Sequence, residues 1–377
     1  MKFIFFANTD WYLFNFRLPF ADELRKAGHE VVMISPPGSY SERLEAAGYR
    51  WLPINMNRRS INPVSEVFVI SRLIKLFRSE APDVVHNFTI KSSVYGTIAS
   101  RYCGIKAIVN AIDGLGYVFS SDQLLARLLR GITARLLKAT NSGNKTRMVL
   151  QNGADYDFLL KNAIVEPECA RLLVGGVGVD TELFQPAARD ASEKPTVTFA
   201  SRLLKEKGII EFVEVARRLK KKGTRVRFVI AGTPDTGNPG SVTENMLAEW
   251  RTWNCADFVG HSEDMPGLLA ASDITVLATA YGEGAPRILM EAAACQVALI
   301  GSDNAGCKEV VIDGVNGLLI PPRDADALET AIETLLGDPM RRQTMGEAGR
   351  KLVVEKFNDK IIARKMLSIY REIIPSV

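Results

Sequence analysis

Short, nearly continuous apolar runs alternate along the chain with longer stretches of helical periodicity, the pattern of parallel strands buried on both faces and joined by helices. In the first half the apolar runs fall at Lys2–Ala7, Glu30–Ile34, Trp51–Ile54, Val84–His86, Ile108–Asn110 and Met148–Leu150. The helical stretches between them end where stop signals stand: Phe16–Ala27 at Gly28, Glu42–Ala47 at Gly48, and Val67–Ser79 ahead of Pro82. Periodicity then lapses across Gln185–Pro195, a Pro, Ala and Asp-rich stretch that reads as a linker. It resumes with strands at Thr196–Ala200, Arg227–Ala231, Asp257–Val259, Ile274–Ala278 and Val297–Ile300. The helices expected with these lie at Ile209–Lys222, Asn245–Trp253, Met265–Ala271, Pro286–Cys295 and Ala325–Leu336.

The expected architecture is α/β, two doubly wound Rossmann-like domains whose strand ends face an interdomain cleft. The expected boundaries are 1–185, 186–355 and a C-terminal helix, 356–377, that crosses back to the first domain. A length of 377 residues suits two domains better than one core.

Composition narrows the class without naming an activity. With 47% hydrophobic and 24% charged residues the chain reads as globular, and no run approaches the about 18 apolar residues of a membrane span. The opening Met1–Ala7 is too short for a signal core, so a cytoplasmic location is expected. The five cysteines are scattered and lack C-x-x-C spacing, which suggests neither disulfides nor zinc. Charge is uneven: residues 1–180 hold 22 Lys+Arg against 16 Asp+Glu, whereas the remainder holds 25 against 27. The basic first half suits an anionic partner such as a phospholipid surface or a lipid diphosphate, against the plainer reading of solvated lysines.

The segment richest in chemistry is Tyr281–Ala294, which follows the buried strand Ile274–Ala278. Pro286 suits a first helical turn and Gly284-Ala285 leaves the backbone open, so N–H groups and the positive helix end can meet a diphosphate. Glu283 stands just before that helix and Glu291 inside it, placed to take hydroxyls from different parts of one ligand. A capped helix with one solvated glutamate is the alternative from spacing alone.

Together with other segments, Tyr281–Ala294 resembles glycosyltransferase family 4, through that family's E-x7-E signature at Glu283 and Glu291. The resemblance covers nearly the whole chain. Gly176-Val177-Gly178-Val179-Asp180 with Phe184 and Pro186 resembles the family's interdomain pattern, and Arg202–Gly208 resembles R-L-x-x-x-K-G. Ser302–Val311 and Gly314–Pro322 resemble its tail. In the N-terminal half, Phe14–Arg17, His86–Lys91 with Tyr95-Gly96, Gly114–Phe119 and Gln151-Asn152 resemble bacterial surface-polysaccharide transferases. Two departures stand out: Asn8–Tyr12 replaces the usual glycine-rich first loop, and Asp113 stands where relatives show Thr, His or Glu.

The resemblance implies a GT-B fold and transfer of a sugar, with retention and no metal, from a nucleoside diphosphate sugar, UDP-linked by family weight, onto a polyprenyl-diphosphate-linked or related glycan. Arg202 and Lys207 would neutralise the departing diphosphate. Glu283 would orient the sugar. Gly284, Ala285, Pro286, Arg287, Ile288, Leu289 and Glu291 would bind the nucleotide, with His261 bordering the base. Asn15, Arg17, His86, Lys91 and Asp113 would face the acceptor or sugar, although His86 also reads as a satisfied histidine at a strand end. Front-face substitution is the implied route, with a double displacement through Asp113 behind it.

Asp155-Tyr156-Asp157 spells a metal-binding triplet of another transferase fold but reads better as a helix start. Leu124–Ala139 and Val69–Ser79 are amphipathic and basic, fit either for packing on their own sheet or for a membrane surface. Nucleic-acid binding lacks a basic stripe interleaved with aromatics. The rival readings are a nucleotide-sugar 2-epimerase and a non-catalytic nucleotide-sugar-binding subunit.

Overall fold

The structure is a computed structural model that describes residues 1–57, 60, 62–105, 107–115, 119, 124–188, 194–235, 237–280, 282 and 284–374. These form two compact units, Met1–Val177 with Lys360–Val377, and Gly178–Asp359.

In the first unit, β1 (Lys2–Phe6), α1 (Asp10–Lys26), β2 (Glu30–Ser35), α2 (Ser41–Ala46), β3 (Arg50–Pro53), α3 (Pro63–Glu80), β4 (Val84–Phe88) and α4 (Ile90–Tyr102) follow one another. They continue into β5 (Ala107–Ile112), α5 (Leu124–Thr140), β6 (Thr146–Leu150), α6 (Gly153–Lys161) and β7 (Ala170–Leu172). The strands form one parallel sheet in the order β3-β2-β1-β4-β5-β6-β7. Alternation along β1 sends Phe3 and Phe5 into a core shared with α1, and Ile4 and Phe6 into a core shared with α3 and α4. Both faces are covered, which is why these strands read as unbroken apolar runs.

The second unit runs β8 (Thr196–Ala200), α7 (Ile209–Lys221), β9 (Arg227–Ala231), α8 (Glu244–Thr252), β10 (Asp257–Gly260), α9 (Met265–Ala270), β11 (Ile274–Leu277) and α10 (Arg287–Ala294). It closes with β12 (Ala298–Ser302), α11 (Ala305–Val310), β13 (Gly317–Ile320), α12 (Ala325–Gly337) and α13 (Pro339–Leu352). Its parallel sheet has the order β10-β9-β8-β11-β12-β13. Val197, Phe199, Ile230 and Val276 pack there against Phe212 and Leu219 of α7 and Leu328 and Ile332 of α12.

The last helix, α14 (Asp359–Ile373), belongs to the first unit. It buries Ile362, Met366, Ile369 and Tyr370 in the core around Phe3 and Phe5, each such side chain contributing about 1.5–3 kcal/mol. Arg147 and Arg171 grip its Glu372 at 2.8 and 2.7 Å.

The contact boundary lies at Val177/Gly178, upstream of the boundary expected at 185/186 and of the Gln185–Pro195 linker. The reason is local pairing. Val179 N–H donates to the Phe357 carbonyl at 2.8 Å, and Asp359 N–H to the Val179 carbonyl at 3.0 Å. Gly178 holds φ of 71° at that crossing, where a Cβ would lie 2.6 Å from the Phe357 carbonyl oxygen.

Candidate functional site

In each sheet the chain leaves a central strand in both directions. β1 sits between β2 and β4, and β8 between β9 and β11. The loops after β1 and β4, and after β8 and β11, therefore part toward opposite sheet faces and open a crevice at the carboxyl edge, where ligands of such sheets bind.

In the second unit both diphosphate-directed motifs lie at this switch point. After β8 comes Ser201-Arg202, then a tight turn Lys205–Lys207 leading to Gly208. Gly208 has φ of 84°, and a Cβ there would come 2.3 Å from the Ala278 carbonyl oxygen, so only glycine lets the two loops touch. The Glu206 carbonyl accepts from Ala280 N–H at 2.7 Å and from the Thr279 hydroxyl at 3.1 Å. Asn304, which caps α11, donates to the Thr279 carbonyl at 2.9 Å. Three loops are thus fastened together, and Arg202, Lys207 and the 284–286 backbone are carried on them. His261 is exposed directly after β10, on the same edge.

Several expected contacts are engaged within the protein. Arg202 pairs with Asp235 at 2.8 Å, but more than half of its side chain is exposed, so the pair is weak and exchangeable. Arg287 and Glu291, one helical turn apart, form an ion pair at 2.6 Å. Pro286 is the residue preceding α10, and its carbonyl accepts from Leu289 and Met290 N–H at 3.2 and 3.4 Å. The helix therefore presents the Arg287 and Ile288 N–H groups first. Leu289 is corrected from ligand contact to core, because its side chain is fully buried and its N–H is used. Ala285 is buried, Gly284 and Ile288 half-buried. Glu283 lies outside the described residues, as do Gly116–Val118 of the N-terminal motif.

The first unit centres on Asp113, directly past β5. Its Oδ1 accepts from Arg17 Nη2 at 2.6 Å and from the Gln151 amide, and its Oδ2 from the Tyr12 hydroxyl. Burial raises the Asp113 pKa above its ordinary value while Arg17 pulls it down. The side chain keeps 37% of its exposure, so it is the member of this cluster open to solvent. Arg17 is not. Its guanidinium lies 4.5 Å from the Phe88 ring centre and 4.7 Å from that of Tyr12, and the residue is 1% exposed. Arg17 is corrected from acceptor contact to the support beneath Asp113.

His86 is also corrected. His86 is fully buried, its Nδ1 2.6 Å from the Tyr370 hydroxyl and its ring against Phe5 and Phe88. Desolvation holds its pKa well below the usual imidazole value. It fastens α14 to the sheet. Lys91 donates to the Asn57 and Ser60 carbonyls at 2.7 and 2.9 Å and to Glu66 at 2.9 Å, anchoring the segment before α3. Asn15 donates to Trp11 within its own helix. Between β4 and α4, Thr89 adopts φ of 76° and ψ of 158°, a costly conformation for a β-branched residue at a switch-point loop. Asn152 caps α6 by accepting from Asp155 N–H at 2.7 Å, and the Asp155 carboxylate accepts from Leu115 N–H at 3.2 Å, fixing the turn beyond Asp113. Among the described residues, no group of three or more His, Cys, Asp or Glu is arranged to hold a metal.

Residues 180–352 match the family model described as glycosyl transferases group 1, and residues 2–143 match glycosyl transferase 4-like. The chain belongs to the GT-B glycosyltransferases. The transferase is 25% identical to the N,N'-diacetylbacillosaminyl-diphospho-undecaprenol alpha-1,3-N-acetylgalactosaminyltransferase of Campylobacter jejuni, covering 100% of both chains. It is 24% identical to the UDP-Gal:alpha-D-GlcNAc-diphosphoundecaprenol alpha-1,3-galactosyltransferase of Escherichia coli, over 84% of this chain and 82% of that one. Among solved structures it resembles HepE of Anabaena in complex with UDP, with TM-score 0.78, 17% identity and coverage of 98% and 99%.

Two features of the transferase escaped the sequence reading: the roles of Tyr12 and Gln151 in holding Asp113, and the Glu206–Ala280 tie that joins the two donor-side loops. Nothing in the spacing flags either. Gly176 gives the one indirect signal, since a Cβ there would lie 2.4 Å from Gln151 Oε1.

Proposed function

We propose that the transferase moves a hexosyl or N-acetylhexosaminyl unit, with retention, from a UDP-sugar to a lipid-diphosphate-linked glycan, as a peripheral enzyme at the inner face of the cytoplasmic membrane. The observation that carries this reading is the fastening of the Arg202–Lys207 turn to the loop before α10 at the switch point of the second sheet. A diphosphate seated there would meet two cations and the leading N–H groups of a helix. The names of these two relatives, each of which carries a diphospho-undecaprenol-linked sugar, support the acceptor class.

In the proposed reaction the bond from the anomeric carbon to the diphosphate oxygen breaks, and Arg202 and Lys207 offset the charge left on the phosphate. The acceptor hydroxyl oxygen bonds the same carbon from the same face, and its proton passes to the leaving phosphate oxygen. Glu283 orients the sugar and Glu291 the ribose, so Glu291 exchanges Arg287 for hydroxyls. Asp113 accepts a hydroxyl hydrogen from the sugar or acceptor. No metal is required in this scheme.

The test is a panel of nucleoside diphosphate sugars with EDTA present, read by thermal shift and nucleotide release, with Glu283→Ala alongside. Stabilisation and turnover by one UDP-sugar, lost in the variant, supports the donor site. No binding of any nucleotide sugar overturns it.

A further inference from the structure

The helices α3, α4 and α5 lie on one face of the first sheet, α3 packed on α4 and α4 on α5. The register shows why. Val85, Ile108 and Met148 point to that face, with Leu73 and Phe77 of α3, Ala99 of α4 and Leu137 of α5 seated over it.

The outer side of this layer has an unusual make-up. On α3, Val64, Val67 and Phe68 are 65%, 65% and 66% exposed. At 100° per residue they share one stripe with Ser71, Arg72, Lys75 and Arg78, all exposed, opposite the buried Val69, Leu73 and Phe77. The stripe is apolar over the first two turns and basic after them. Tyr102, 65% exposed at the end of α4, lies under the Arg78 guanidinium at 5.1 Å, and Ile98 is exposed one turn earlier. On α5, Ile132 and Leu136 are exposed beside Arg135 and Lys138.

No exposed carboxylate answers these cations on the three helices. Their only acidic residues are Glu66 and Glu80, both buried; Glu66 is paired with Lys91, and Glu80 with Arg50 and Lys2. A face meant for water normally mixes both signs, and one meant for a protein core is not ringed by like charge. Large exposed apolar side chains among uncompensated cations match an anionic bilayer, in which side chains enter the acyl boundary and cations meet lipid phosphates.

We infer that the outer face of α3, α4 and α5 is the surface by which the enzyme lies on an anionic phospholipid bilayer, with Val64, Val67 and Phe68 inserted and Arg72, Lys75 and Arg78 on the headgroups. This rests on the lipid-linked acceptor proposed above for its purpose, but not for its chemistry. Among the described residues no helix is long and apolar enough to cross a membrane, so attachment by this face is reversible.

The full chain is tested by co-sedimentation with vesicles of phosphatidylglycerol and phosphatidylcholine, and of phosphatidylcholine alone, without any sugar donor. The wild type binds the anionic vesicles and is released by salt. Val67→Ser with Phe68→Ser weakens binding at least tenfold; Arg72→Ala with Lys75→Ala removes the preference for anionic vesicles, about fivefold per charge. All four sites are exposed, so unchanged melting and unchanged UDP binding confirm the variants are folded. Equal binding by wild type and both variants overturns the assignment. So does a dimer, seen by light scattering, that the Val67/Phe68 variant dissolves while vesicles are never bound; that result gives the face to a second copy of the chain. Vesicle binding without any nucleotide-sugar binding would sink the proposed reaction and leave this surface standing, and the converse would sink only the surface.

Discussion

Replacing either member of the Arg17–Asp113 pair removes the same ion pair, yet the structure gives the two changes different costs. In Asp113→Asn the Arg17 guanidinium stays charged in a bed of Phe88, Tyr12 and Phe20, where its side chain is 2% exposed. Stranding a buried charge costs about 3–5 kcal/mol. In Arg17→Met the remaining carboxylate still accepts from Tyr12 and Gln151 and reaches solvent through more than a third of its surface. That change should cost about 1–2 kcal/mol, the lost hydrogen bond being partly replaced by water. The double variant, with no stranded charge, should be more stable than Asp113→Asn alone. Hydrogen exchange of the β4 and β5 amides across a urea series reads this, because those strands report opening of the first unit by itself. Equal costs for the single changes, or costs that simply add in the double variant, would refute the picture of a buried cation held by a partly open carboxylate.

Three further outcomes follow from the same contacts. His86 is neutral and buried, its folded pKa well below the ordinary 6.5 of the unfolded chain, so the unfolded state takes up more protons as pH falls through 6.5. The first unit should lose stability in that window, with His29 adding the same sign, and His86→Phe should flatten the profile measured by urea midpoints between neutral and mildly acidic pH. Gly208→Ala should cost about 2 kcal/mol or more and abolish UDP binding by calorimetry, since the added Cβ pushes apart the loops after β8 and β11. Asn304→Ala should cost about 1 kcal/mol through the lost α11 cap and weaken UDP binding by loosening Thr279, whereas unchanged affinity would show that the Thr279 contact does not bear on the donor loop.

Much of the architecture was legible because buried parallel strands leave apolar runs and their helices end on Gly or Pro. Val84–His86 and Thr196–Ala200 were visible for that reason, and so was the position of Arg202–Gly208 and Gly284–Pro286 after strands, whereas their sharing of a switch point needs the strand order. The boundary at Gly178 was not, because it depends on hydrogen bonds from Val179 to Phe357 and from Asp359 back to Val179, across the sequence. Motif positions gave neighbourhoods but not directions. His86 sits on a strand whose alternate residues point to opposite faces, and one register step separates a ligand-facing imidazole from one sealed against Tyr370. Arg17 was set facing the acceptor or sugar by resemblance alone; only the meeting of Phe88, Tyr12 and Asp113 makes the burial of such a cation tolerable. Lys91 likewise has partners, Asn57, Ser60 and Glu66, that all arrive from upstream and that its motif does not show.

The most direct measurement of the central proposal is the anomeric configuration, by NMR, of the product formed from an α-linked UDP-sugar and a polyprenyl-diphosphate-linked sugar in the presence of EDTA. An α-linked product, absent with Glu283→Gln, is the expected result. A β-linked product, or no transfer from any nucleotide sugar to that acceptor class, would contradict it.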